Sequence, residues 1–130
     1  MLNSQASAAT STALLHAVDA ANTAAATSGT GMWLDVRPYD GEILVTMNVG
    51  VVTAGTITGK LQSATDANGT GAADISGYTF TQVTTSTDLS TQTVVVDPKK
   101  VTGGFLGFVG TIATGPAAVS VVASGKKKYV

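Results

Sequence analysis

The chain has 130 residues, 12% of them charged and 44% hydrophobic, with a formal net charge of -1 and no cysteine. That length fits one domain around one core, and the apolar share excludes disorder by composition outside the ends. The near-zero charge removes any general pull toward nucleic acid or an anionic membrane, and the missing thiols exclude disulfides and thiolate metal sites.

Val, Ala and Thr dominate, and Val and Thr suit the pleated, half-buried surface of a sheet. Fifteen glycines supply turns. So weakly charged a domain has little repulsion against self-association, which fits a protein that works in an assembly. The first thirty residues show no basic start and no continuous apolar core, so no signal peptide is expected. No run approaches the ~20 apolar residues of a membrane helix. A soluble protein with no membrane or nucleic-acid partner is expected.

Residues 1–31 are rich in Ala, Ser and Thr and read as an N-terminal arm. Within it, Ala13–Val18 could wind into a short helical turn with Leu14, Leu15 and Val18 on one side and Thr12 as its cap. The rest of the arm is small-residue linker, and it either stays a tail or orders against a neighbouring subunit.

From residue 32 the pattern becomes that of strands. Met32–Val36 alternates, with Trp33 on a different face from Leu34 and Val36. Arg37-Pro38-Tyr39-Asp40-Gly41 is a turn. Glu42–Val49 is the best strand: Ile43, Val45, Met47 and Val49 share a face, and Leu44 intrudes on the other. Thr56–Ser63 carries Ile57, Gly59 and Leu61 inward and Thr56, Thr58, Lys60 and Gln62 outward. Ser63–Gly77 is a turn-rich connection, followed by strands at Tyr78–Val83, Gln92–Val96, Phe105–Ile112 and Ala117–Ala123. Some seven short strands with a turn signal every ten residues or so predict a single antiparallel β-sandwich over 32–130. Jelly-roll and immunoglobulin-like strand orders both fit.

Little in the chain points to catalysis. His16 is the single histidine, and a nucleophile–base pair on it would need a hydroxyl brought from elsewhere. The carboxylates Asp19, Asp35, Asp40, Glu42, Asp66, Asp74, Asp88 and Asp97 fall mostly in turns, where Asp bonds its own backbone. Asp66-x-Asn68-x-Thr70-Gly71-x-x-Asp74 partly matches a calcium loop, but Gly77 stands where the bidentate Glu belongs and no helices flank it. Lys126-Lys127-Lys128 reads as a solvated basic end. A non-enzymatic protein without cofactor or metal, acting through its surface, is expected.

The order of motifs resembles a family of small virion structural proteins of tailed bacteriophages that includes head cement, or decoration, proteins. The residues that carry the likeness are Trp33-Leu34-Asp35-Val36 leading into Tyr39-Asp40-Gly41, then Gly55–Asp66, then Asn68–Ile75 and Gly77, and finally Ala117–Ala123 with the Lys-Tyr-Val end. The resemblance implies a β-sandwich on the capsid surface that binds the major capsid protein, often as a homotrimer, after a passage through the host cytoplasm during assembly. The alternative is a tail or fibre module that recognises a host-surface glycan. Within that frame the connections 63–77 and 84–91 are the expected contact regions.

Overall fold

A computed structural model describes residues 10–18, 33–114 and 117–127, and for 10–18 the backbone path. Among the described residues nine strands follow one another: β1 (Thr10–Val18), β2 (Leu34–Asp35), β3 (Ile43–Val52), β4 (Gly55–Ala64), β5 (Ala73–Thr79), β6 (Val83–Thr84), β7 (Ser90–Val96), β8 (Phe105–Thr114) and β9 (Ala117–Lys126). All pairings are antiparallel. One sheet runs β1-β9-β3-β7 and the other β2-β8-β4-β5, with β6 also paired to β4.

That order decides between the two sandwich topologies. An immunoglobulin-like chain keeps its first two strands side by side in one sheet. Here β1 and β2 lie in opposite sheets, as do β3 and β4, and β8 and β9. With the short β6 set aside, this is the eight-strand double-sheet arrangement of a jelly roll.

The alternation expected in the two best strands is present. Ile43, Val45, Met47 and Val49 face inward from β3, and Ile57 and Leu61 from β4, all buried. Leu106, Phe108 and Ile112 of β8 and Val119, Val121 and Ala123 of β9 belong to the same core. Phe108 is its largest fully buried side chain and meets Phe80 edge-on, with ring centroids 5.8 Å apart. A Cβ on Gly59 would sit 2.5 Å from the Phe108 ring, so glycine there is what admits the ring.

Two elements differ from expectation. The arm is extended rather than helical over Thr10–Val18, where it pairs with β9 of its own chain. The unpaired edge of β9 supplies hydrogen-bonding partners that outweigh a weak helical pattern. The strand expected at Tyr78–Val83 is also displaced: β5 begins at Ala73, and the true connection is only 65–72. Asp74 reads as a turn residue, but in β5 it faces Gln62 and accepts hydrogen bonds from Gln62 Nε2 at 2.8 Å and Lys60 Nζ at 3.0 Å. Gly77, with φ of +85°, absorbs the register shift that follows.

The 65–72 connection has a structural task. Trp33 does not belong to the core between the sheets, yet it is only 7% exposed. Its indole lies against Gly107, on the face of β8 opposite Leu106 and Phe108, where a Cβ would overlap the ring. Gly69, with φ of +81°, closes over the other side, and a Cβ there would come within 2.6 Å of Trp33 Nε1. Asp66 holds this loop by accepting the backbone N–H groups of Asn68 at 2.9 Å and Thr70 at 3.1 Å. The small residues of the stretch thus let backbone approach Trp33 of the same chain.

Candidate binding surface

The strand order sorts the connections into two ends, and the charges follow it. One end holds the links 36–42, 65–72 and 97–104 and the close of β9. It carries Asp35, Arg37, Asp40, Glu42, Asp66, Asp97, Lys99, Lys100, Lys126 and Lys127. Arg37 forks onto Asp35, with Nε 2.8 Å from Oδ1 and Nη2 2.9 Å from Oδ2, and its guanidinium lies 5.2 Å from the Phe105 ring centroid. Lys127 pairs through its backbone with Tyr39, and Asp40 N–H donates to the Lys126 carbonyl at 2.7 Å. The basic end is therefore fastened to the 36–42 link as far as Lys127, and Lys128 lies outside the described residues. Two open grooves of about 650 and 580 Å³ flank the turn at Pro98–Lys100, and Lys99 contributes to both.

The opposite end, built among the described residues from 50–56, 80–90, 112–114 and 117, is nearly free of charge. Among the described residues Asp88 is its one charged side chain, and Asp88 Oδ2 is engaged by the Val52 N–H at 2.9 Å. Two large apolar side chains stand out into water there: Leu89, 73% exposed, and Val51, 55% exposed. They are neighbours, because Leu89 N–H donates to the Gly50 carbonyl at 3.1 Å. Leu89 and Thr114 are also the two non-glycine residues with positive φ among the described ones, at +53° and +75°. Such conformations cost side chains about 1–2 kcal/mol each, and strain of this kind concentrates at functional sites.

The uncharged surface continues down the outer face of β3, β7 and β9. Leu44 faces Val95, Thr46 faces Thr93 and Asn48 faces Thr91 across β3 and β7, while Ser124, Val122 and Ser120 pair with the same β3 positions from the other side. Thr46 and Thr93 hydroxyls lie 3.2 Å apart, and Thr91 Oγ1 donates to Asn48 Oδ1 at 3.0 Å. Leu44 and Val95 are 46% and 45% exposed. The result is a flat face of hydroxyls and aliphatics that leads into the Val51–Leu89 tip.

No protein-family model, curated protein or solved structure matches the chain.

The residues singled out for chemistry in the sequence do not converge. His16 falls in β1 opposite Val121, and Asp19 lies outside the described residues. Asp66 and Asp74 of the calcium-like pattern are used separately, one inside its own loop and the other across β4. Among the described residues no three His, Cys, Asp or Glu side chains gather closely enough to hold a metal ion. Every described aromatic side chain is at least partly buried, so a stacking platform for a sugar ring is lacking among them. Of the two expected contact regions, 84–91 lies at the uncharged tip, while 65–72 lies at the charged end and covers Trp33. The tip itself could not be found from sequence, since its three segments meet only through the topology.

Two outcomes follow from this geometry. Leu89→Gly should raise thermal stability by up to about 1 kcal/mol, because strain relief of ~1–2 kcal/mol exceeds the added freedom of the unfolded chain, ~0.5–1 kcal/mol. A melt read by circular dichroism checks it; a clear loss would mean that Leu89 packs in solution. The second concerns acid. The Arg37 side chain holds the Asp35 carboxyl below its ordinary value of 3.8, hydrogen bonds from Thr70 and Asn68 do the same for Asp66, and Gln62 and Lys60 for Asp74. Groups with depressed folded values stabilise above the unfolded value, and that contribution is lost as pH falls through the folded one. Melting temperature should therefore decline from about pH 4 downward, and Asp35→Asn with Asp74→Asn should flatten the decline. All three carboxyls are at the surface, so each share is small.

Proposed function

We propose that the chain is a structural protein of a tailed-bacteriophage virion, a head cement protein that seats its uncharged end and the adjoining sheet face on the major capsid protein. The observation that carries this reading is the Val51–Leu89 tip: exposed, apolar, backed by strained backbone and set at the pole opposite the charges. A surface without charge suits a dry, permanent contact, since no ion has to be desolvated to form it. The charged pole then faces water and keeps the decorated particle soluble.

The motif order from Trp33 to the C-terminal strand supports the same reading, and so, as a fold-level analogy, does the use of jelly rolls in viral capsid domains. Each copy clamps the seam between capsid subunits, and a homotrimer multiplies three modest contacts into a tight one. Purified protein added to particles that lack it should bind and raise the temperature at which they release DNA. Protein that fails to bind such particles, or binds a glycan array instead, would defeat the proposal.

A further inference from the structure

The 65–72 link carries the one Asn-Gly step of the chain, Asn68-Gly69; the other asparagines, Asn3, Asn22 and Asn48, are followed by Ser, Thr and Val. Asparagine is a chemically labile residue, and most so before glycine, which has no Cβ to keep its nitrogen away from the neighbouring side chain. The fold leaves the Asn68 amide open. Asn68 is exposed, and its side-chain amide has no hydrogen-bond partner among the described residues, whereas the Asn48 amide oxygen accepts from Thr91 Oγ1.

The base of the link is firm and its crest is not. At the base the Thr70 carbonyl accepts Thr65 N–H at 2.9 Å and Thr65 Oγ1 at 3.1 Å. At the crest Gly69 N–H donates to the Asp66 carbonyl, and Ala72 N–H to the Gly69 carbonyl, both at 3.2 Å. That is the long end of the ordinary range, and exposed links with such bonds open locally at little cost. Gly69 also closes over the indole of Trp33, so a change in the backbone at this step reaches the single tryptophan of the chain.

We infer that Asn68 is a site of spontaneous deamidation, and that its conversion releases the cover over Trp33. When the crest opens, the Gly69 nitrogen leaves the Asp66 carbonyl and attacks Asn68 Cγ. The amide nitrogen departs as ammonia with the hydrogen from Gly69, and a five-membered imide closes. Water then opens the ring. Cleavage at Cγ gives an aspartate; cleavage at the main-chain carbonyl gives an isoaspartate, whose chain runs through the former side chain. One water is consumed and one ammonia released, and nothing is oxidised or reduced.

Both products disturb the cover. Each places a carboxylate two positions from Asp66, whose own carboxyl is held below its ordinary value by hydrogen bonds from Thr70 and Asn68, and like charges repel. The isoaspartate also adds a backbone carbon between the Asp66 turn and Gly69, so that turn no longer sets Gly69 against the indole. The site stands at the charged end, so the inference holds whatever the Val51–Leu89 tip binds.

The test keeps the full chain folded in mildly alkaline buffer, which favours the deprotonated backbone nitrogen, and samples it over weeks beside the same chain in denaturant. Peptide mass spectrometry should show Asn68 turning into the acid in the folded chain, with isoaspartate among the products. In step with conversion, Trp33 emission should move to longer wavelength, its quenching by acrylamide should rise and the melting temperature should fall by several degrees. Asn68→Ser protein has no amide to lose and should show none of these changes. If Asn68 stays intact in the folded chain, the inference is wrong, and conversion in denaturant alone would show that the fold protects it. Conversion that leaves Trp33 emission and quenching as they were would overturn it as well, and so would an equal drift in the Asn68→Ser protein.

Discussion

Trp33→Ala should lower the melting temperature by about 10–20 °C. Loss of a buried Trp costs ~3–5 kcal/mol, and 1 kcal/mol moves the midpoint of a domain of this length by roughly 4 °C. The indole is only 7% exposed although it lies outside the main core, held between Gly107 on β8 and Gly69 of the 65–72 link. Its removal opens a cavity on the outside of the sheet and frees the link that covers it. Gly107→Ala should also destabilise, by ~1–3 kcal/mol, because the added methyl overlaps the indole. In the double variant the second penalty should largely vanish, since nothing remains for the methyl to strike. Additive penalties in this cycle would show that Trp33 and Gly107 are not in contact.

If the proposed seat on a capsid shell is right, Val51→Asp combined with Leu89→Asp should weaken that binding by at least ~100-fold, since an unpaired charge taken into a dry contact costs several kcal/mol. The fold should be unaffected: both side chains are more than half exposed, and surface changes usually stay within about 0.5 kcal/mol. The parent protein's binding should then change little with salt, because the proposed contact surface carries almost no charge to screen. The control is Lys99→Glu with Lys100→Glu at the opposite pole, which should bind as the parent does. If the Lys variant loses binding and the Asp variant keeps it, the functional end has been assigned to the wrong pole.

Most of the sandwich was legible because its signal is local. In β3 and β4 the apolar residues recur every second position, and one residue of slip would turn Ile43 or Ile57 out to water. The features that were not legible depend on partners distant in sequence. Ala13–Val18 carries a faint helical pattern, and only the free edge of β9 makes Thr10–Val18 a strand. Asp74 and Gly77 look like turn residues until Lys60 and Gln62 are placed beside them. Trp33 could be assigned to a face of its own, but not to Gly69, more than thirty positions away. The choice of a jelly roll over an immunoglobulin-like order also rests on which strands pair, which alternation does not encode.

The candidate surface shows the same division. Thr84–Thr91 was recognisable as a polar connection fit for contact. That Leu89 within it would stand next to Val51, on an end free of charge, follows from β3, β7, β8 and β9 all turning at that pole. The stretch 63–77 carried the stronger motif, yet its carboxylates work within the chain. Asp66 shapes the cover over Trp33, and Asp74 ties β5 to β4.

A cryo-electron microscopy reconstruction of the intact particle tests the functional proposal most directly. It should show the jelly roll standing on the outside of the head, with Val51 and Leu89 against the major capsid protein and Arg37, Lys99 and Lys127 turned toward solvent. A jelly roll found on the tail, or one seated on the shell by its charged pole, would contradict it.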